Sequence, residues 1–471
     1  SNAFFFSDVN SRARRTRGPS PAAAGGARLS AHSCNMPKKA KKGKGKKEAG
    51  PEVLTTRTIV RERERACCPR LGDATLRQER ADEIMMECVF FKIRRAVLRD
   101  KDELDLSRSN LAAMPDDMRM PELGNLLIKL DLSHNQLFGS QHVFDVCSGL
   151  RQLTDLDLSY NFLNGPLSAA ACLNFPQLEV LCLDGNQITA LPDDVGSWRK
   201  LRKFSASKNA LRTLPAQACN GWIALTHLNL RNNALQTLPT MGEAWANLEV
   251  LYLGSNELKE LPSVESLVSL RELDLRSNQL AALPPFLACC TGLIKLHLGN
   301  NKITDVPPEV LGSLVNVEEL HLYKNKLDQL PDELGNLTKC RMLTLSSNNL
   351  RTLPDSIDQC KSLAELYINN CAKFASLPAS AGDCTALREL QAKKCPGLKA
   401  LPATAAAWEN LRELDLRAAK KAGLQTTPRG HRRFGGAAVH HPRRRAEEGQ
   451  GGEEGEEVTT QLCNRIELCK K

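Results

Sequence analysis

The chain has 471 residues, 42% of them hydrophobic but only 4% aromatic, and a formal net charge of +10 at pH 7. A core of this composition consists mainly of leucine, alanine and valine, which excludes a large aromatic core and is typical of repeat architectures. The charge is uneven, with 23 Lys and Arg against 10 Asp and Glu in residues 1–99, 11 against 7 in residues 420–471, and 30 against 37 between them. The basic character therefore belongs to the two ends.

The N-terminal segment, residues 1–73, is predicted to be a disordered basic tail. Its run "PKKAKKGKGKKEAG", from Pro37 to Gly50, is low in complexity and lacks apolar residues that could pack. A solubilising tail is one interpretation. The others are a nuclear address or a contact with anionic lipid, nucleic acid or an acidic tubulin tail. Because no aromatic residue interrupts the run to stack on bases, we expect no sequence-specific nucleic-acid binding.

Residues 74–100 are predicted to form an amphipathic helix. Apolar side chains recur at roughly helical spacing with charges between them, at Leu76, Ile84, Cys88, Phe91 and Leu98. A repeat array needs a cover over its first apolar layer, so a capping helix is the preferred interpretation. A membrane-surface or partner-binding helix is the alternative.

A motif of the form L-x-x-L-x-L-x-x-N-x-L is repeated along the middle of the chain. Its asparagine recurs about every 24 residues, and cysteine continues the series twice. These positions are Asn135, Asn161, Asn186, Asn209, Asn233, Asn256, Asn278, Asn301, Asn325, Asn348, Cys371 and Cys395. The pattern is that of the leucine-rich repeat. It weakens at Ser109, where asparagine is expected, and at Ala419, which we take as the two ends of the array.

The spacing predicts how each repeat folds. The L-x-L alternation gives a short strand with inward leucines, the asparagine amide bonds to backbone groups in the turn, and the following Leu-Pro ends the strand. Residues 101–419 are therefore expected to form about 12–14 repeats of an α/β leucine-rich repeat solenoid. We expect a curved horseshoe, with a parallel sheet on its concave face and helical turns on its convex face. Residues 420–471 lack the motif and are predicted to be a disordered tail.

The sequence contains no motif that indicates catalysis. It has no phosphate-binding loop, no nucleophile elbow and no His/Cys cluster with metal-ligand spacing, so we expect no catalytic residue, cofactor or metal site and no enzyme. Glutamates recur at the repeat period, and we expect them on a solvated strand face, where equivalent carboxylates lack the contrasting environments of an acid/base pair. They include Glu272, Glu319, Glu365, Glu389 and Glu413.

Function is therefore expected on the surface, as protein binding by the concave face. Tyrosine and arginine anchor protein interfaces because they combine a large contact area with a polar end. The strand positions that point to this face include His227, Arg231, Tyr252, Arg276, His297, His321, Tyr323 and Tyr367. These eight residues are the predicted binding site.

The form "LxxLxLxxNxLxxLP" resembles the intracellular Ras-group-related leucine-rich repeat proteins of plants and animals. That family includes a scaffold that joins a Ras GTPase to a phosphatase. The segments "NNCAKFASLP" and "KKCPGLKALP" are similar to the cysteine-bearing repeats of plant disease-resistance proteins, and the lysine run before a helix is similar to algal and flagellar repeat proteins. The resemblance implies a small GTPase, a phosphatase or a cytoskeletal assembly as partner.

The compartment is inferred from the thiols and from the absence of long apolar segments. The chain has 17 cysteines, most of which we expect as small core residues, and so many free thiols favour a reducing compartment. No apolar run is long enough to span a membrane. We expect a cytoplasmic scaffold in signal transduction, with a structural subunit of a cytoskeletal or axonemal assembly as the alternative. A cilium or, through the lysine run, the nucleus is the alternative location.

Overall fold

A computed structural model of the chain describes residues 78–240, 243–262 and 267–417. The predicted tails, 1–73 and 420–471, lie outside these residues, as do residues 74–77 of the predicted helix. The strands are β1 (Glu103–Asp105), β2 (Lys129–Asp131), β3 (Asp155–Asp157), β4 (Asn164–Pro166), β5 (Val180–Cys182), β6 (Gln187–Ala190), β7 (Lys203–Ser205), β8 (His227–Asn229), β9 (Val250–Tyr252), β10 (Glu272–Asp274), β11 (Lys295–His297), β12 (Glu319–His321), β13 (Met342–Thr344), β14 (Glu365–Tyr367), β15 (Glu389–Gln391) and β16 (Glu413–Asp415).

Helices connect most of these strands. The α-helices are α1 (Gln78–Leu98), α2 (Pro121–Leu126), α3 (Ser140–Val146), α4 (Ala170–Asn174), α5 (Ala216–Gly221) and α6 (Pro308–Ser313). Short 3₁₀ helices take the same role elsewhere, at Asp116–Arg119, Cys147–Gly149, Asp193–Ser197, Glu243–Trp245, Pro285–Cys289, Asp332–Asn336, Asp355–Gln359, Ala379–Asp383 and Ala403–Ala407.

One parallel sheet organises the described chain. Fourteen strands pair in sequence order from β1 to β16, while β4 and β6 form a separate parallel pair. The register joins equivalent positions of successive repeats, so that Leu273 of β10 pairs with Leu296 of β11, which pairs with Leu320 of β12. All three leucines are at most 1% exposed. The predicted leucine-rich repeat solenoid is therefore confirmed.

The repeat asparagine ties neighbouring repeats together. The Nδ2 of Asn325 donates to the carbonyl of Leu298 in the preceding repeat and to that of Leu322 in its own, each at 3.0 Å. Its Oδ1 accepts the N–H of Ile303 at 3.1 Å. Asn135 bonds in the same way to the first repeat, where its Oδ1 accepts the N–H of Ser109 at 3.0 Å. The amide therefore pairs buried backbone groups of two repeats at once, as well as those of its own turn.

On the helical side of the repeats, the core position three residues before a leucine is filled by different residue types in different repeats. Tryptophan occupies it in Trp198, Trp222, Trp245 and Trp408, and all four side chains are at most 2% exposed. Cysteine occupies it in Cys290, Cys360 and Cys384, which are equally buried. Their Sγ atoms donate to backbone carbonyls of the preceding repeat at 3.2–3.4 Å. These cysteines are therefore core residues.

Helix α1 packs beside the first repeat. Val89, Ile93 and Ala96 are at most 3% exposed and belong to the same core as Leu104 and Leu106. This buried stripe differs from the predicted one, since Cys88, Phe91 and Leu98 are only half-buried. Apolar residues lie on several sides of this helix, and contact with the first repeat selects among them. No helix in the described part of the chain is both long and apolar enough to cross a bilayer.

Candidate functional site

The solvent side of strands β8–β14, with the residue two positions after each strand, is called the sheet face here. In most of these strands a buried leucine stands between two half-buried residues. This alternation follows from the two-residue period of a strand, which sends the central leucine into the core and its neighbours outward. All eight predicted binding residues lie on the sheet face, and each is half-buried.

A buried carboxylate organises the first half of this face. Asp274 of β10 is fully buried, and its Oδ2 lies 2.5 Å from Nη2 of Arg231 and 3.2 Å from Nε of Arg276. Its Oδ1 also accepts the N–H of Arg276 at 2.9 Å. A Cβ on the neighbouring Gly254 would stand 3.0 Å from Oδ2, so glycine leaves the room that the carboxylate occupies. Asp274 thus fixes both predicted arginines through charge-assisted contacts.

Tyr252 is held from both ends on β9. Its ring lies 3.8 Å from the guanidinium carbon of Arg231, a cation–π contact, and its hydroxyl donates to Oε2 of Glu272 at 2.6 Å. Burial raises the pKa of Tyr252, and the hydrogen bond to Glu272 raises it further, so the phenol stays protonated at neutral pH. The tyrosine is therefore presented in one fixed orientation.

Two histidines stack on the adjacent strands β11 and β12. The rings of His297 and His321 have centroids 4.2 Å apart and planes inclined by 11°. Nδ1 of His321 lies 3.1 Å from Oγ1 of Thr344, and its Nε2 lies 3.8 Å from Oε2 of Glu319. Nζ of Lys295 lies 3.3 Å from the other oxygen of that carboxylate. The register that pairs His297 with His321 produces this cluster.

Both histidines are neutral at physiological pH. Burial lowers the pKa of His297 to about 3, with further contributions from His321 and from the cationic Arg276, Arg231 and Lys295. Burial also lowers the pKa of His321, although Glu319 opposes that shift. The pair therefore offers ring nitrogens, rather than positive charges, to whatever binds there.

The other predicted residues flank these clusters. Tyr323 lies against Gly299, where an added Cβ would meet the ring, so glycine provides its seat. Tyr367 of β14 donates its hydroxyl to Oε2 of Glu365 at 2.8 Å. His227 of β8 stands apart from the histidine pair, with Nδ1 2.8 Å from Oγ1 of Thr226. The structure thus brings Arg231, Tyr252 and Arg276 together around Asp274, and His297 together with His321.

The carboxylates are where sequence reasoning erred. Glu272, Glu319 and Glu365 are half-buried rather than freely solvated: Glu272 and Glu365 accept hydrogen bonds from the predicted tyrosines, and Glu319 lies 3.8 Å from Nε2 of His321. Asp274 was not among the predicted binding residues. The signal that could have found it is positional, because Asp274 ends β10 and Arg231 stands two residues after the end of β8, two repeats earlier.

An acidic row marks the other end of the sheet. Asp105, Asp131 and Asp157 are in register on β1, β2 and β3, and Asp184 follows β5. Oδ1 of Asp157 accepts hydrogen bonds from the N–H of Ser159 at 2.8 Å and from its hydroxyl at 2.5 Å. Burial raises the pKa of Asp157 to about 6 against these hydrogen bonds, and the charges of Asp131 and Asp184 add to the rise. The acidic row on β1–β5 and the sheet face on β8–β14 therefore differ in charge and in residue type.

Comparison with known families finds the same repeat. A family profile described as "Leucine rich repeat" matches residues 291–350, and another described as "Leucine Rich repeats (2 copies)" matches residues 246–288. Among curated proteins, Tsukushi of Mus musculus is 34% identical over 176 residues, which cover 36% of this chain and 43% of Tsukushi. The chain thus spans less than half the length of that relative.

Solved structures with the same fold cover more of the chain. A leucine-rich repeat protein of Leptospira interrogans is 28% identical, with a TM-score of 0.54 over 69% of this chain and 92% of that protein. An internalin of Listeria monocytogenes has a TM-score of 0.56 at 21% identity, over 68% of this chain and 92% of the internalin. The second likeness concerns the fold alone.

Proposed function

Since this chain is a leucine-rich repeat protein, we propose that it is a non-catalytic scaffold that binds a protein partner on the sheet face. The observation that carries the proposal is the fixed presentation of Arg231 and Tyr252. The arginine is held by the buried Asp274, and the tyrosine lies against the arginine. Side chains ordered before binding lose little conformational entropy on contact, and arginine and tyrosine are the residues that dominate interface energetics.

We place the scaffold in the cytoplasm, in signal transduction. The thiols support a reducing compartment, because the described residues include twelve free cysteines, ten of them buried or half-buried in repeats. The sequence form resembles proteins that act with small GTPases and phosphatases, and those are the partner classes that we propose. Capture that depends on the bound nucleotide would identify a GTPase.

A structural subunit of a cytoskeletal or axonemal assembly is the second candidate. The observation that favours it is the excess of 23 Lys and Arg over 10 Asp and Glu in residues 1–99, which suits an acidic polymer. Such a contact weakens as salt screens the charges. Co-sedimentation with microtubules that is lost at high salt would favour this candidate over the signalling scaffold.

A photo-crosslinking amino acid tests the proposed face directly. We would place it at Tyr323 on the sheet face and, as a matched control, at Val315, which is 41% exposed beside helix α6. The proposal predicts a discrete protein adduct in cells from position 323 and none of that mass from position 315. Adducts from position 315 alone, or the same adducts from both positions, would contradict it.

A further inference from the structure

Three potential metal ligands converge on the sheet face. His297 ends β11, while Glu319 and His321 lie two residues apart on the adjacent β12, so all three side chains point to the same side. One donor atom from each lies within 4.8 Å of the others. No spacing motif reveals this trio, because the sheet register joins ligands from different repeats.

We propose that His297, Glu319 and His321 form a binding site for a divalent transition metal ion, with Zn²⁺ as the occupant. Two imidazoles and one carboxylate are a ligand set that zinc accepts, and three protein ligands leave a fourth position open. The half-buried ligands place that fourth position toward solvent. The site lies within the sheet face, but metal binding is measured without any partner, so its failure would leave the proposed scaffold function standing.

The geometry needs little movement to bind an ion. Zinc–nitrogen bonds of about 2.1 Å put the donors of a tetrahedral site about 3.4 Å apart. The donors therefore need to approach one another by up to about 1.4 Å, and the two stacked rings need to tilt toward each other. These are side-chain rotations on a sheet whose backbone register already sets the ligand positions.

The surroundings of the two ring nitrogens of His321 support this assignment. Its Nδ1 lies 3.1 Å from the hydroxyl of Thr344, a contact that orients the ring. Its Nε2 is buried without a hydrogen-bond partner and lies on the side of Glu319. Metal-binding histidines are oriented in this way by a polar group on the other ring nitrogen. An unpartnered buried nitrogen facing a carboxylate is what a metal ion would satisfy.

Lys295 is the charge that opposes the ion. Its ammonium lies 3.3 Å from Oε1 of Glu319, the oxygen that does not face His321. The buried Asp274 offsets only one of the two positive charges of Arg231 and Arg276, so one net positive charge beside His297 opposes the ion together with the lysine. Repulsion between an ammonium and a divalent ion a few ångströms away exceeds the value of one hydrogen bond, so this residue weakens the site.

The test is titration of the full chain with CoCl₂, which reports ligand type through its visible spectrum, followed by competition with ZnCl₂. The matched variants are His321→Ala and the isosteric Glu319→Gln. The control is His227→Ala, a half-buried histidine of the same face outside the trio. Circular dichroism and thermal melting verify that each variant folds. If His321→Ala does not fold, Glu319→Gln still tests the site.

We expect the wild type and the His227→Ala control to bind one equivalent of Co²⁺ at this site, with a difference spectrum of nitrogen and oxygen ligation. Both trio variants should lose this equivalent. Thr344→Val should weaken Zn²⁺ binding by about 10- to 100-fold, because the ring loses its orientation. Lys295→Met should tighten it by about tenfold. Equal metal uptake by the wild type and the trio variants would overturn the proposal. A difference spectrum with sulfur-to-cobalt charge transfer would also overturn it, because it assigns the metal to cysteines.

Discussion

The guanidinium carbon of Arg231 lies 3.8 Å from the centroid of the Tyr252 ring, while its Nη2 lies 2.5 Å from Oδ2 of Asp274. One arginine thus connects a fully buried carboxylate to a half-buried aromatic ring. The contact spans three strands, from β8 through β9 to β10. It therefore joins three consecutive repeats and fixes the part of the sheet face that we propose as the binding surface.

Removal of Asp274 should destabilise the fold. Asp274→Ala leaves Arg231, whose side chain is only 16% exposed, without its carboxylate, and we expect the free energy of unfolding to fall by about 2–4 kcal/mol. Asp328→Ala is the control, because its carboxylate is 70% exposed and lies 3.9 Å from Lys373. It should change the free energy by less than about 0.5 kcal/mol. Urea denaturation measures both, and equal effects would contradict a structural role for Asp274.

The repeat asparagine should tolerate cysteine better than alanine. Asn325→Ala removes the partners of the Leu298 and Leu322 carbonyls and of the Ile303 N–H, at a cost of about 2–4 kcal/mol. Asn325→Cys should cost less, because a thiol keeps a weak donor. Natural cysteines at this position show that contact, with Sγ of Cys371 3.5 Å from the carbonyl of Leu345.

Thermal and urea unfolding of the two Asn325 variants measure the difference. The control is Asn247→Ala, which removes an exposed side chain that bonds one carbonyl at 3.0 Å. A cysteine variant as unstable as the alanine variant would contradict this role of the asparagine amide, as would an Asn247→Ala variant that loses as much stability as Asn325→Ala.

The acidic row should make the fold sensitive to pH through Asp157. Its pKa of about 6 in the folded chain lies above the ordinary aspartate value of 3.8, so the folded state binds the proton more tightly than the unfolded state does. Stability from this group is therefore complete below about pH 4 and decreases as the pH rises through about 6. Asp157→Asn should stabilise the fold by roughly 2–3 kcal/mol at pH 7.5 and by little at pH 4.

Chemical denaturation at the two pH values tests this sign. Asp131→Asn is the comparison, because it removes a charge on β2 beside Asp157 and leaves the Asp157 carboxylate in place. A stabilising effect of Asp157→Asn that is equal at both pH values would show that the carboxylate is not desolvated in the fold.

The core cysteines should resist thiol reagents while the chain is folded. Burial raises the pKa of each of these thiols, to about 12 in Cys147, Cys172, Cys219, Cys290, Cys340 and Cys360 and to about 11 in Cys384 and Cys395. The reactive thiolate is therefore scarce at neutral pH. Cys289 is exposed, next to the buried Cys290, and is the matched comparison.

Maleimide labelling at pH 7.5 with peptide mapping by mass spectrometry measures this difference. Cys289 should react within the native fold, and Cys290 should react only after denaturant is added. Labelling of Cys290 at the rate of Cys289 in the native chain would contradict its place in the core.

The repeat itself could be predicted because its determinants are local. Asn325 satisfies backbone groups at fixed offsets in sequence, and the leucines on either side alternate as a strand requires. The same rule places the histidines and tyrosines on one face. The backbone conformation of the residue before the asparagine could not be predicted from the sequence. His134, Tyr160 and Lys324 adopt left-handed φ values of 51–56° there, although none of them is glycine.

The contacts across repeats could not be predicted. Asp274 and Glu319 have the sequence context of solvated strand positions, and their burial depends on Arg231 two repeats away and on Lys295 in the adjacent strand. Gly254 leaves room for the carboxylate of Asp274, and Gly299 leaves room for the ring of Tyr323. A one-dimensional pattern gives the face on which a side chain lies, but its partners depend on the stacking of the repeats.

Quantitative affinity capture from cells with two triple variants tests whether the protein binds its partners through the sheet face. The sheet-face variant carries Tyr252→Ala, Tyr323→Ala and Tyr367→Ala. The control variant removes three exposed apolar side chains from the helical side, as Ile223→Ala, Val268→Ala and Val315→Ala. Thermal melting establishes that both variants fold. We expect partners captured by the wild type to be kept by the control and lost by the sheet-face variant. Equal capture by the sheet-face variant and the wild type would contradict binding through this face.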